Sequence, residues 1–378
     1  MDYDKLETNV RYIAGQFAKA RSQRQARRDL VTEDFHLLRE AGFPLVAVPV
    51  DDGGLWQSEQ QSVRPICSLL RTLAGGDSSV ALVASMHPAV LSSWLTAPAE
   101  LNDPLWRQQC RRVFGSVIDG HWWGTITSEP GSGGDITKSR TKARPAGAEL
   151  AYRISGQKHF GSGSGVMSYM VTTAVPMGEE EADWFFVDVR DVLWDGTAGL
   201  TMMAEWVGHG MAATQSHAMA FENYPATRMA WMGNLLGVAT RAGGFIGCLF
   251  TSVIVGIVDE AIRTGREKLD RGELTAFEQV EWTRAQLEHW LISQAFEGML
   301  RAVEQQDDPR HDVLQGKTAV AELAETVMTR LCRAIGGSTF SRRSPFGFWF
   351  EDVRALGFLR PPWNLAFATL AKGPPPAK

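Results

Sequence analysis

The sequence predicts an α+β chain in which a helical N-terminal part, a β-rich middle and a helical C-terminal part follow one another. Three observations carry this. Up to about residue 113 the apolar spacing is helical, with Leu30, Phe35 and Leu38 outlining a helix that stops at the breaker Gly42-Phe43-Pro44. From about residue 114 to 228 the texture changes to short β-rich runs, 168–175 and 184–189 among them, separated by Gly, Pro, Asp and Ser. Beyond Met232 the helical period returns: Leu287, Leu291, Ala295, Met299 and Val303 step by four, and Val320, Leu323, Ala324, Val327 and Leu331 hold one face. The expected domains are therefore 1–113, 114–230 and 231–378, and a chain of 378 residues exceeds the size at which one core keeps growing.

Within the first part, Asp51-Asp52-Gly53-Gly54 reads as a turn. An apolar helix over 78–95 follows, expected to be interrupted at His87-Pro88 because proline disfavours helical geometry in the residue before it. The longest apolar stretch, 242–258, contains four glycines and is too short to cross a bilayer, so it predicts a buried core helix and no membrane span. Cys67, Cys110, Cys248 and Cys332 lie far apart with no CxxC or Cys/His cluster, which argues against a disulfide framework or a metal site and for a reduced, cytoplasmic setting. The opening Met1-Asp2-Tyr3-Asp4-Lys5 is polar, so no secretory apolar region is expected there. A net charge of -5 and a pI near 6.0 give no field for nucleic acid, and the run Arg21, Arg24, Arg27, Arg28 reads as the solvated face of a helix. Gly373-Pro374-Pro375-Pro376-Ala377-Lys378 is the one low-complexity segment, expected to be mobile.

Two segments carry the chemistry. The first is Trp122-Trp123-Gly124-Thr125-Ile126-Thr127-Ser128-Glu129-Pro130-Gly131-Ser132-Gly133-Gly134-Asp135, and the second is Ile154-Ser155-Gly156-Gln157-Lys158-His159-Phe160-Gly161-Ser162-Gly163. Together they read as two strands presenting hydroxyls, glycines and an aromatic to one flat ligand, or else as strand-end turn residues. With Phe221-Glu222-Asn223-Tyr224-Pro225, the segment 331–337 and Phe350-Glu351-Asp352-Val353-Arg354 in this order, the chain resembles the acyl-CoA dehydrogenase superfamily over nearly its whole length.

That resemblance implies an N-terminal helical domain, a middle β-barrel or sandwich and a C-terminal four-helix bundle. It implies a flavin, FAD with FMN also compatible, held by Thr127, Ser128, Gly134, Phe160 and Ser162. Donors near the ring's N1/O2 edge would stabilise the charge of reduced flavin, and Phe160 takes the place of a tryptophan that covers the ring. Arg271 falls where the superfamily places an arginine on a neighbouring subunit's flavin pyrophosphate, and Gly336-Gly337 where paired glycines approach the adenosine half. The alternatives are a solvated helix end and a helix C-cap. A homodimer or homotetramer paired through C-terminal helices is implied, with the apolar stretch 245–258 suited to the intersubunit core.

One part of the pattern breaks. Dehydrogenases of this superfamily abstract an α-proton with a glutamate, and counting from Asp352 that position falls on Arg360, followed by Pro361-Pro362-Trp363. The other place where members carry the base reads Gly243-Gly244-Phe245-Ile246-Gly247-Cys248, without an acid. Arginine is no base, so Arg360 either binds an anionic substrate group or lies at the surface. Phe160-Gly161-Ser162-Gly163 resembles the two-component flavin monooxygenases of the same fold, which take reduced flavin from a separate reductase; Ser162 would supply their hydrogen bond near N5. His87 lies in the helical segment that faces the flavin in the superfamily and reads either as an acid or base or as a core histidine bonded to a helix carbonyl. His159, His209 and His217 form no metal-ligand grouping. Trp206, Gly208, Gly210 and Met211 form a loop suited to a substrate mouth, and Trp122, Trp123 and Trp363 read as either mouth or core.

The expected function is a flavin-dependent oxidoreductase that does not carry out ordinary acyl-CoA dehydrogenation, with a reduced-flavin monooxygenase and a non-catalytic binding protein as alternatives. The expected partners are a small-molecule substrate, an acyl thioester being one class, and a flavin reductase or electron-transfer protein.

Overall fold

The computed structural model describes residues 1–270 and 272–373. Six helices come first: α1 (Tyr3–Lys19), α2 (Arg21–Gln25), α3 (Thr32–Ala41), α4 (Glu59–Gly76), α5 (Ser78–Leu95) and α6 (Pro104–Ile118). Their starts are written locally, because the side chains of Asp2, Ser58, Asp77 and Asp103 accept from first-turn N–H groups of α1, α4, α5 and α6. Two expectations change here. Helix α5 runs unbroken through Pro88, since it is buried almost all round and packing on every side offsets the hydrogen bond that proline removes. Helix α6 continues to Ile118, so the β-rich part starts later than residue 114.

Seven strands follow: β1 (Trp123–Thr125), β2 (Lys142–Pro145), β3 (Ala151–Gly161), β4 (Tyr169–Pro176), β5 (Asp183–Asp188), β6 (Leu200–Ala204) and β7 (His217–Arg228). The order β4-β2-β3-β7-β5 closes because β5 pairs back to β4, which makes a five-strand barrel rather than a sandwich. β1 extends the sheet beside β4, and β6 lies beside β7. The first of the two motif segments is mostly not a strand. β1 ends at Thr125, and Pro130 with the positive-φ glycines 131, 133 and 134 cannot continue a ladder. A lone bridge from Ser128 to His159 fastens this loop to β3.

The C-terminal part has three long helices, α7 (Leu235–Leu269), α8 (Ala276–Gln305) and α9 (Arg310–Ile335), and two short ones, α10 (Pro345–Val353) and α11 (Trp363–Leu370). Helices α5 and α7 are long and apolar enough to cross a membrane by composition, but 94% and 83% of their apolar windows are buried inside the protein. The stretch 245–258 is therefore core, as predicted, and is consumed within the chain. Phe245, Val253, Ile254, Val255, Ile257 and Val258 have no exposed surface, which removes them as an intersubunit face.

Helix α8 instead exposes Phe277, Val280, Leu287, Trp290 and Leu291. The period-four stripe drifts because four residues turn a helix by about 400°, so four steps rotate the stripe by roughly 160°. Leu287 is thus 58% exposed while Met299 and Val303 are buried. The arginine run is not a solvated face either. Arg24 is buried, forking onto Asp34 at 3.1 and 2.6 Å and reaching Asp77 at 2.7 Å, while Arg21 meets Glu260 of α7 at 2.6 Å.

Candidate functional site

A buried ion pair inside the barrel frames the site. Lys158 has no exposed surface; its Nζ donates to Glu129 Oε1 at 2.6 Å and to the Thr173 carbonyl at 2.6 Å. Glu129 also accepts from Ser139 Oγ at 2.7 Å, the Arg140 N–H at 2.7 Å and Thr141 Oγ1 at 2.8 Å. Burial alone would push its carboxyl up, but Lys158 and these donors hold it at about 2. Lys158 is drawn down to about 8 by burial, against the pull of Glu129, and the nearby charge of Arg360 lowers it further. Strand alternation puts Lys158 on the inward face with Ile154, four residues earlier, but carries no sign of its partner.

Onto this frame the loop after β1 brings Thr127 and Ser128, and the C-terminal segment brings Arg360. Nη2 of Arg360 donates to Thr127 Oγ1 and, at 3.3 Å, to Ser128 Oγ. Arg360 is half-buried rather than spread on the surface, and burial draws its guanidinium to about 10, so it stays charged at neutral pH. The Ser128–His159 bridge sets Phe160 beside these groups. Phe160 sits at φ 60° in a bulge of β3 and is 57% exposed, edge-on to Trp206 at 6.0 Å. A bulky residue held at positive φ costs about 1–3 kcal/mol and persists only where its surroundings impose it. Gly134, at φ 84°, lies where a Cβ would come within 2.9 Å of Pro362, so its missing side chain is explained by packing inside the chain.

Ser162 is buried and bonded to Ser216 Oγ at 2.8 Å, which is bonded in turn to Thr214 Oγ1 at 2.8 Å, and Thr214 donates to the Met211 carbonyl. This hydroxyl chain was not legible in the sequence, because Ser216 lies 54 residues from Ser162 and is brought to it by the pairing of β3 with β7. Asp352 locks the same loop, accepting from the Met211 N–H and from Ser78 Oγ, both at 2.6 Å; burial raises its carboxyl to about 6 despite these donors. In the same loop Trp206 Nε1 donates to the Met211 carbonyl at 3.0 Å, and Met211 is buried.

His87 is the clearest correction. It has no exposed surface, its Nδ1 accepts the Trp123 N–H at 2.9 Å and its Nε2 faces the Pro44 carbonyl at 3.1 Å. Burial lowers it to about 3, so it is a neutral core histidine without a free nitrogen. Trp122 and Trp123 are core as well, packed around His87, Phe35 and Tyr169. Trp363 stacks on Phe367 along an open groove of about 670 Å³ between α9 and α11. Gly336 caps α9 at φ 86°, and neither it nor Gly337 has a protein atom within 4 Å of where a Cβ would stand. Arg271 lies outside the described residues.

The donor set fits a flat ring with a carbonyl or imide edge. Two hydroxyls and a guanidinium gather together, and an exposed aromatic at positive φ follows the residue bridged to Ser128. No protein-family model matches the chain. It is 25% identical to the amino sugar nitrososynthase DnmZ of Streptomyces peucetius, over 94% of this chain and 89% of that protein. It is 22% identical, over 93% of this chain and 91% of the other, to YdbM of Bacillus subtilis strain 168, whose description places it with the acyl-CoA dehydrogenases. The structure superposes on FMN-bound TdsC from Paenibacillus sp. A11-2, a dibenzothiophene monooxygenase, with a TM-score of 0.81 and 16% identity, covering 97% of this chain and 96% of that one. The motifs, the closed barrel and these likenesses over nearly the whole length give the chain the fold of the acyl-CoA dehydrogenase superfamily.

Proposed function

We propose that the protein is a flavin-dependent monooxygenase that receives reduced FMN or FAD from a separate reductase and oxidises a small heteroatom-bearing substrate. The observation that carries this reading is Arg360, a cation against Thr127 and Ser128, which the count from Asp352 puts where the superfamily's dehydrogenases hold a proton-abstracting glutamate. The buried carboxylates of the surrounding frame offer no substitute, since Glu129 and Asp352 are committed to hydrogen bonds. The names of the relatives add support, because nitrososynthesis and thiophene oxidation are oxygenations at nitrogen and sulfur.

When bound, reduced flavin supplies two electrons, so that one atom of O₂ enters the substrate and the other leaves as water. Thr127 and Ser128 would hold the pyrimidine edge, and Phe160 would pack against the ring. Ser162, oriented by Ser216 and Thr214, would offer one hydroxyl of fixed direction. The exposed α9 end at Gly336 and Gly337 is compatible with an adenosine half but does not demand one. The test is to incubate the protein with FMN, NADH and a flavin reductase under isotopically labelled oxygen, offering amines and thioethers. Label in a substrate that depends on the protein is expected. Rapid anaerobic bleaching of its flavin by an acyl-CoA would overturn the reading in favour of dehydrogenation.

A further inference from the structure

Among the described residues, Arg360 enters no ion pair: its Nη2 donates to two neutral hydroxyls, and its Nε and Nη1 have no hydrogen-bond partner. Glu129, the buried carboxylate of the frame, is already paired with Lys158 at 2.6 Å and saturated by donors from Ser139, Arg140 and Thr141. Arg360 is therefore a half-buried cation with no carboxylate of its own among the described residues. Such a charge is costly unless a ligand brings the matching anion.

Resting on the flavin reading above, we propose that Arg360 is the charge partner of the reduced flavin, so that the protein binds the reduced, anionic ring more tightly than the oxidised, neutral one. The hydroxyls beside the guanidinium are those assigned to the pyrimidine edge, and reduction places the ring's negative charge on that edge. A cation there stabilises the reduced form and leaves the oxidised form nearly unaffected, because the two share the same ring area and the same phosphate. The consequence suits an enzyme that must collect reduced flavin from a partner and release it once oxidised. A planar fork with unused donors also suits an N–C=O anion better than a point charge would.

The test compares anaerobic titrations of the full-length protein with dithionite-reduced FMN and with oxidised FMN, no substrate being present. Wild type should favour the reduced form at least tenfold. Arg360→Met should bring that ratio down by about 10- to 100-fold, which is roughly 1.4–2.8 kcal/mol, while Arg360→Lys keeps most of it. The midpoint potential of the bound flavin should fall in parallel, by about 30 mV per tenfold. Arg360→Gln gives the same reading should the methionine variant not fold.

A wild-type ratio within twofold of one overturns the proposal without any variant. So does an Arg360→Met ratio equal to wild type, which would assign the cation to an anionic substrate instead. A wild type that binds neither redox state fails the flavin reading itself and takes this proposal with it.

Discussion

His87 and Phe160 show how differently a buried and an exposed aromatic behave in this chain. His87 is neutral in the folded chain down to about 3, whereas the unfolded chain takes its proton near 6.5. Its folded value is depressed, so its contribution is present above 6.5 and is lost as pH falls towards 3. Asp352, raised to about 6 from 3.8, has the opposite sign: its contribution is present below 3.8 and is lost as pH rises through 6. His87→Gln removes only the first of these. The stability gap between wild type and the variant should narrow by about 2 kcal/mol between pH 7 and pH 5 in urea unfolding; a gap that stays constant would show that the imidazole titrates freely.

Phe160 is the reverse case, exposed and strained. Phe160→Gly should leave the unfolding free energy within about 1 kcal/mol of wild type, because relief at positive φ offsets the added freedom of the unfolded chain. Flavin affinity should drop about tenfold in the same variant. Unchanged affinity in fluorescence titration would remove Phe160 from the site.

Strand β3 and the loop after β1 act as one device, and the Glu129–Lys158 pair is what joins them. Glu129→Gln strands a buried ammonium, an arrangement that costs roughly 3–5 kcal/mol. The expected outcome is a large fall in Tm, largely restored by the double variant Glu129→Gln with Lys158→Met, which removes the orphaned charge. A single variant as stable as wild type would mean that Lys158 is solvated. Helix α8 carries the opposite lesson about elements. Its apolar residues were visible, but a four-residue step does not stay on one face over 16 residues, so the same list contains both core and surface.

The helices before and after the barrel pack on one another. α7 packs against α4 and α5 as well as α8 and α9, and charged contacts cross between the two helical parts: Arg21 to Glu260, Arg64 to Glu297 and Glu304, and Arg71 to Asp259. Arg24, Asp34 and Asp77 form the buried centre of the N-terminal side, next to the α5 start that Asp352 reaches through Ser78. Arg24→Met leaves Asp77 without its cation and Asp34 with only Arg27, at 3.1 Å, so it should destabilise by about 3 kcal/mol. Helix signal and barrel fluorescence should be lost together in denaturant; loss of the N-terminal helices alone would contradict a single unit.

The sequence by itself determined the order of helical, β and helical parts, the stop of α3 at Gly42 and the core nature of 242–258. These rest on periodicity, capping and local turn chemistry, which act over a few residues and can be read along the chain. Only the tertiary structure decided that Pro88 does not break α5, that His87 is sealed between Pro44 and Trp123, that Lys158 faces Glu129, and that Arg360 lies against Thr127 and Ser128. Each of these depends on partners 29 to 233 residues away. Whether a charge or a proline is tolerated is set by burial and by what closes around it, and no local pattern in a chain encodes that.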